Sequence, residues 1–370
     1  MSPPAFQARK DKQTTSETAR YSIVANHSQL FVQMIFSSTS FLRPVQLLSL
    51  LWFVLMDPAL VVVTAAAAAA TVPEDSIPIP FLDGDPNLLF LGNSYIHIHN
   101  LPHLVQTLLE EGVPEWKGRI HIRQRDPGGE RFSSHVQAMM QPGSTLHQWL
   151  MTTSWSWKWV CLQEQSQIPG LIGLGHDQPD FAASLVAVQH LQQQIHKKGG
   201  HTLLLLTWAR RSGDDHNRDL FPDFITMQDL LLQGYIEYWK AASATETAPV
   251  YLAPIGLVYE TLYKDAITSG HDPTTDPETF FYQLYHHDGS HPSLTGSFVA
   301  ALTIYTTMTG LNPNQVVACP PGLHHDVCVN LQNAVYRTLQ TTVQEYGYQF
   351  FPWKSSSWAI LSESTTSDEL

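Results

Sequence analysis

Asn87-Leu88-Leu89-Phe90-Leu91-Gly92-Asn93-Ser94-Tyr95 is the stretch on which the fold turns. Four large apolar residues in a row, Leu88 to Leu91, describe a strand buried on both faces, as in a parallel sheet. Gly92, Asn93 and Ser94 follow at once, and apolar residues at helical spacing (Leu101, Leu104, Val105, Leu108, Leu109) begin soon after. A serine at the carboxyl end of a buried strand stands where open α/β sheets bind their ligands. The plainer reading makes Ser94 a cap for the next helix or part of a turn. The rest of the chain decides between them.

Working outward, strands and helices alternate. Residues 119–123 (Arg-Ile-His-Ile-Arg) alternate polar with apolar at period two, which suits an edge or second strand. The turn Asp126-Pro127-Gly128-Gly129 follows, then helical patterns from about 134 to 140 and from 145 to 151. Residues 157–162 predict a third strand ending in Gln163-Glu164-Gln165-Ser166, and 180–198 an amphipathic helix stopped by Gly199-Gly200. Further strands are expected at 203–206 and 250–253, and helices at 224–242, 258–268, 293–309 and 328–346. Strands separated by helices at this spacing specify a five-stranded parallel sheet covered on both faces, a three-layer α/β/α sandwich.

The chain has 370 residues, 43% of them hydrophobic, with 24 prolines and 21 glycines, the composition of a globular protein with many connections. A formal charge of -13 argues against nucleic acid as partner, because phosphate neutralisation needs basic surface. A neutral or cationic substrate suits it better.

Residues 1–70 read as a leader. An apolar run at 47–56, broken by Asp57-Pro58 and continued by Val61 to Val63 and six alanines, fits a signal peptide cleaved near Ala70. The alternative is an uncleaved signal anchor, which would make a membrane the partner. Residues 71–85 form a linker, 86–350 one domain, and 351–370 a Ser/Thr-rich tail. The last four residues, Ser367-Asp368-Glu369-Leu370, are similar to an ER-retention signal. Secretion, or residence in the ER lumen, is therefore expected. Cys319 and Cys328 flank a short loop and would be bridged in an oxidising compartment, while Cys161 reads as a buried free thiol.

Acyl transfer by a serine needs a histidine to take its proton and a carboxylate to orient that histidine. Downstream of Ser94, Asp288-Gly289-Ser290-His291-Pro292-Ser293 places an acid and a histidine three residues apart, just before a helix that Ser293 is placed to cap. As a structural alternative, Asp288 and His291 are ordinary turn and capping residues.

Gly92-Asn93-Ser94 early and Asp288-x-x-His291 late, on an alternating α/β chain, resemble the SGNH (GDSL-like) hydrolases across about residues 86–312. That resemblance implies Ser94 as nucleophile, His291 as base and Asp288 as the acid that orients it. It also implies an oxyanion hole from the Ser94 N–H and a glycine N–H. Gly129 is the expected donor and Gly128 the alternative. The family's third block, Gly-x-Asn-Asp, is replaced by Gln163-Glu164-Gln165-Ser166, so Gln163 or Gln165 is expected to supply the side-chain amide donor. The expected activity is hydrolysis of an acyl ester, such as an O-acetyl group on a glycan, with no cofactor and no metal. A secreted carbohydrate- or ligand-binding protein on the same fold is the non-enzymatic alternative.

Other features have blander readings. Three histidine groups (His97 and His99; His286, His287 and His291; His324 and His325) lack the spacing of a strong metal site. Trp149, Trp155, Trp157 and Trp159 could stack on a sugar, but packing under helices is the commoner use. Glu164 has no second carboxylate at comparable placement to make a glycosidase pair. Arg210 or Arg211 could meet an anionic substrate group; a surface salt bridge is the preferred role.

Overall fold

The computed structural model describes residues 86–352, apart from 153, 155 and 245–248. The leader, the linker, the tail and the tetrapeptide at 367–370 lie outside the described residues.

Five strands make one parallel sheet: β1 (Asn87–Leu91), β2 (His121–Arg125), β3 (Trp159–Leu162), β4 (His201–Leu205) and β5 (Val250–Ala253). Their order in the sheet is β2-β1-β3-β4-β5. This is the flavodoxin-like order of doubly wound folds, with its switch point at β1, between β2 and β3. The chain reverses direction there, and that is where Gly92 to Ser94 emerge.

Helices α1 (Ser94–His97), α2 (Leu101–Gly112), α3 (Phe132–Met140), α4 (Thr145–His147), α5 (Pro179–Lys197) and α6 (Phe224–Ser243) follow the first four strands. After β5 come α7 (Ile255–Thr268), α8 (Phe280–Gln283), α9 (Leu294–Thr309) and α10 (His325–Tyr346). Helix α2 packs on α9, with α7 and α10 beside it; α3, α5 and α6 pack together as the other layer. The three-layer sandwich expected from the alternation is the fold.

Leu88 to Leu91 pair β2 on one side and β3 on the other and are fully buried. Truncating such a residue to alanine costs about 2–5 kcal/mol, which is why the four-residue run is so telling. Strand β2, at the sheet edge, is only partly covered, as its alternation foretold. It begins two residues later than expected, a shift that leaves each side chain on the same face. Trp157 and Trp159 are in the core, with no free face for a sugar. Cys319 and Cys328 are bridged, and Cys161 is a free buried thiol. Among the described residues no helix is long and apolar enough to cross a membrane.

Candidate active site

The site is built at the carboxyl end of β1. Helix α1 starts at Ser94, and its cap is Asn93, whose Oδ1 accepts from the Tyr95 N–H at 3.2 Å. Asn93, not Ser94, therefore takes the capping role. As the first helical residue, Ser94 owns one of the N–H groups that a helix start leaves without an intrahelical carbonyl. Gly92 is required by close approach: a Cβ there would lie 2.3 Å from Ile96 Cδ1 and 2.6 Å from Gln163 Oε1.

Ser94 Oγ lies 2.9 Å from His291 Nε2, and His291 Nδ1 lies 2.6 Å from Asp288 Oδ2. A carboxylate can only accept, so Nδ1 carries the proton and Nε2 is left to accept from the serine hydroxyl. Two residues that lie 194 and 197 positions beyond Ser94, and three apart from each other, are thus joined with it in one relay.

The loop carrying Asp288 and His291 is fixed largely by itself. Asp288 Oδ1 accepts from the Ser290 N–H at 2.9 Å and the His291 N–H at 3.0 Å. The His286 N–H donates to His291 O, and Tyr285 and Pro292 form a bridge that closes the loop at its base. Gly289 holds a left-handed φ of +68°, a conformation that favours glycine, and its carbonyl accepts from the Arg211 N–H. Ser293 caps α9, as its position suggested, accepting from the Gly296 N–H at 3.2 Å. Partial burial pushes the Asp288 carboxyl up, but hydrogen bonds from the His291 ring and from the Ser290 and His291 N–H groups outweigh it. The net result is about 2.

An aromatic stack supports this loop. Tyr95 lies 4.6 Å from Trp208 with the rings nearly parallel, and Trp208 stacks in turn on Tyr259 at 4.8 Å. Tyr95 Oη is 2.9 Å from Ser290 Oγ, the Trp208 indole N–H donates to Ser290 O, and Tyr95 meets the His291 ring edge-on. The residue after the serine thus holds the loop that bears the base. Burial pushes the Tyr95 phenol up, keeping it neutral.

On the other side of Ser94 stand the residues expected to form the oxyanion hole. A cavity of about 480 Å³ beside Ser94 is lined by His97, Arg125, Asp126, Pro127 and Gly128. Gly128 stands on this wall, with Gly129, the expected donor, next along the turn. Gln163 is buried and turned inward: its Oε1 accepts from the Asn93 N–H at 3.1 Å, and its amide nitrogen donates to Glu164 O. Gln165 Oε1 accepts from the Gln167 and Ile168 N–H groups, and its amide nitrogen reaches Gln167. Both glutamines are occupied with their own turn and with the base of the serine turn. The extra methylene of glutamine, which could have carried an amide outward, folds it back instead.

Sequence reasoning passed over His135. It is fully buried on α3, its Nε2–H donates to Gly92 O at 3.1 Å, and its Nδ1 faces Arg125 Nη1 at 3.2 Å. Burial, aided by the Arg125 charge, pushes this imidazole down to about 3, so it is a neutral brace. Its signal was available: Phe132, His135 and Met139 fall on one helical face, and all three are buried. A polar residue in an apolar stripe calls for a partner.

Elsewhere, His97 is exposed beside Asp126, 3.1 Å from Nδ1 to Oδ2. His99 and Asn100 have left-handed backbone. Arg210 pairs with Asp214 at 2.5 Å; that carboxylate is buried, so the salt bridge is not the surface one expected. Arg211 lies 4.0 Å over the Tyr282 ring. Among the described residues, no three His, Cys, Asp or Glu side chains converge as a metal site.

No protein-family model matches the chain, and no curated protein matches it. Similar solved structures include a candidate SGNH hydrolase from Slackia heliotrinireducens, with 22% identity over 61% of this chain and 100% of that one, TM-score 0.43. A DUF4886 family protein from Bacteroides uniformis has 18% identity over 69% of this chain and 95% of that one, TM-score 0.49. An acetylxylan esterase from Geobacillus stearothermophilus, solved as a catalytic mutant, has 12% identity over 61% and 94%, TM-score 0.41. In the chain itself, the serine follows β1 and the Asp288-x-x-His291 loop precedes α9, the order in which the sequence places them.

Proposed function

We propose that this protein is an SGNH-type serine esterase that cleaves an acyl ester through a Ser94–His291–Asp288 triad and an acyl-enzyme intermediate. The observation that carries this reading is the relay from Ser94 Oγ to His291 Nε2 and from His291 Nδ1 to Asp288 Oδ2. In the proposed cycle His291 takes the Ser94 proton as Oγ attacks the ester carbonyl. Asp288, which stays ionised down to about pH 2, stabilises the imidazolium. The Ser94 N–H and a backbone N–H of the Gly128-Gly129 turn receive the oxyanion. His291 then protonates the leaving alcohol, and a water molecule, activated by the same imidazole, releases the acid.

An O-acetyl group on a carbohydrate is the substrate class we favour. His97, Arg125 and Asp126 on the cavity wall offer hydrogen bonds to hydroxyls. The disulfide supports an oxidising compartment, in keeping with a secreted or ER-lumenal protein.

A fluorophosphonate probe should label the wild-type chain and leave Ser94→Ala unlabelled. A hydrolysis screen over acetylated sugars and p-nitrophenyl esters of graded length should favour acetyl and fall as the chain lengthens. An optimum at long acyl chains overturns the carbohydrate-acetyl reading. Labelling that survives in Ser94→Ala removes Ser94 as nucleophile. Folded protein that neither labels nor hydrolyses favours a binding protein.

A further inference from the structure

Glu164 is a fully buried carboxyl group that the proposed cycle does not use. Its surroundings are specific. Oε1 accepts from the Phe132 N–H at 3.0 Å and from the Gln165 N–H at 2.7 Å, and Oε2 accepts from the Ser184 hydroxyl. Phe132 is the first residue of α3, and the residue before it, Arg131, provides no side-chain cap. A helix start needs acceptors for its first N–H groups and favours a carboxylate there. Here the acceptor comes from another block of the chain, 32 residues on.

The chain between Arg125 and Phe132 is the Asp126-to-Arg131 loop that borders Ser94 on the oxyanion side. Its far end is pinned by Glu164. The neighbouring Gln163 pins the serine turn by accepting from the Asn93 N–H, and its amide nitrogen donates to the carbonyl of Glu164. Two adjacent residues at the end of β3 therefore reach in two directions, one to the nucleophile turn and one to the glycine loop. The Asn93 amide nitrogen completes the circuit by donating to Glu130 O at 3.0 Å.

We infer that Glu164 is a positioning residue for the oxyanion side of the site, capping α3 and holding the third-block turn so that the Gly128-Gly129 loop keeps a fixed spacing from Ser94. The inference rests on the esterase reading above. In place of a side-chain donor to the oxyanion, the third block supplies a clamp that sets where the backbone donors stand. Glu164 acts through its acceptor oxygen, so the amide of glutamine can replace it: Oε1 would still receive both N–H groups, and its NH₂ could donate to Ser184 Oγ.

The test uses the full chain and p-nitrophenyl acetate. Glu164→Leu leaves two buried N–H groups without an acceptor; kcat should fall by roughly 10- to 100-fold, the cost of a misplaced catalytic loop, with KM changed less than about twofold. Glu164→Gln should restore kcat to within about threefold of wild type. Wild-type kcat in a folded Glu164→Leu, or a Gln variant as damaged as the Leu variant, overturns the positioning role. Should the Leu variant not fold, the amide resonances of Phe132 and Gln165 answer in wild-type protein. Burial pushes this carboxyl up to about 7, so the two signals should titrate together with one midpoint near neutrality, and that titration should vanish in Glu164→Gln. Two amides that do not respond together overturn the clamp. Wild-type protein that hydrolyses no ester overturns the esterase reading and the positioning role with it; active wild type with an unaffected Leu variant overturns the positioning role alone.

Discussion

The two sides of Ser94 are held by different means. On the base side, Asp288 and His291 lie in one loop whose carboxylate bonds run within a few residues, to the N–H groups two and three positions on and to the ring of His291, while Tyr95, Trp208 and Arg211 brace that loop from outside. On the oxyanion side the bonds are long-range: Gln163 to Asn93 across 70 residues, Glu164 to Phe132 across 32, His135 to Gly92 across 43. A device whose acid–base pair is set locally needs one hexapeptide to be right before its outside braces arrive. A distributed one needs three blocks to arrive together, and its parts then stand or fall as a group.

The contrast can be broken most forcefully on the base side. Asp288→Asn removes the charge that fixes the His291 tautomer and should lower kcat by roughly 10⁴-fold, with circular dichroism unchanged. Steady-state ester hydrolysis reads this directly; a loss under tenfold would detach Asp288 from the relay. On the oxyanion side Gln163→Ala offers a sharper discrimination. A clamp that holds the serine turn should cost about tenfold in kcat, whereas a direct oxyanion donor costs about 10²- to 10³-fold. The measured ratio therefore says which work Gln163 does.

A smaller effect is expected at Tyr95→Phe. It removes the phenol that meets Ser290 and keeps the ring stacked on Trp208, so one hydrogen bond is lost and kcat should drop about two- to tenfold. The subtlest test concerns stability and pH. The Glu164 carboxyl sits at about 7 in the fold against 4.5 ordinarily, so between those values the unfolded chain has released a proton that the folded chain retains. Stability contributed this way is present below pH 4.5 and is lost as pH rises toward 7. Asp288 acts in the opposite sense: lowered from 3.8 to about 2, it contributes above pH 3.8 and that contribution is lost as pH falls toward 2. Denaturant melts should show the wild type losing stability relative to Glu164→Gln between pH 5 and 7, with no further divergence well above it.

The same contrast explains what the sequence could disclose. Leu88 to Leu91 announces a central strand because burial on both faces leaves only apolar residues there. Asp288-x-x-His291 is legible because spacing, turn glycine and helix cap lie within six residues. The beginning of α3 was expected near 134 and lies at Phe132, because its cap is a carboxylate from elsewhere in the chain. Likewise, nothing local shows that a glutamine at 163 folds back toward Asn93. The amide chemistry was readable at Gln163 and Gln165, and its direction was set by the packing of three separate blocks.

One feature of the sheet offers a practical handle. Cys161 stands at the middle of β3 between Phe90 and Leu203, fully buried, with its thiol pushed well up by that burial. The other two cysteines of the chain are bridged, so the oxidised protein carries one thiol, sealed in the centre of the molecule. A thiol reagent can reach it only when the sheet opens. Its labelling rate becomes a clock for opening events, kept two residues from the Gln163–Glu164 pair and indifferent to whether any substrate is known.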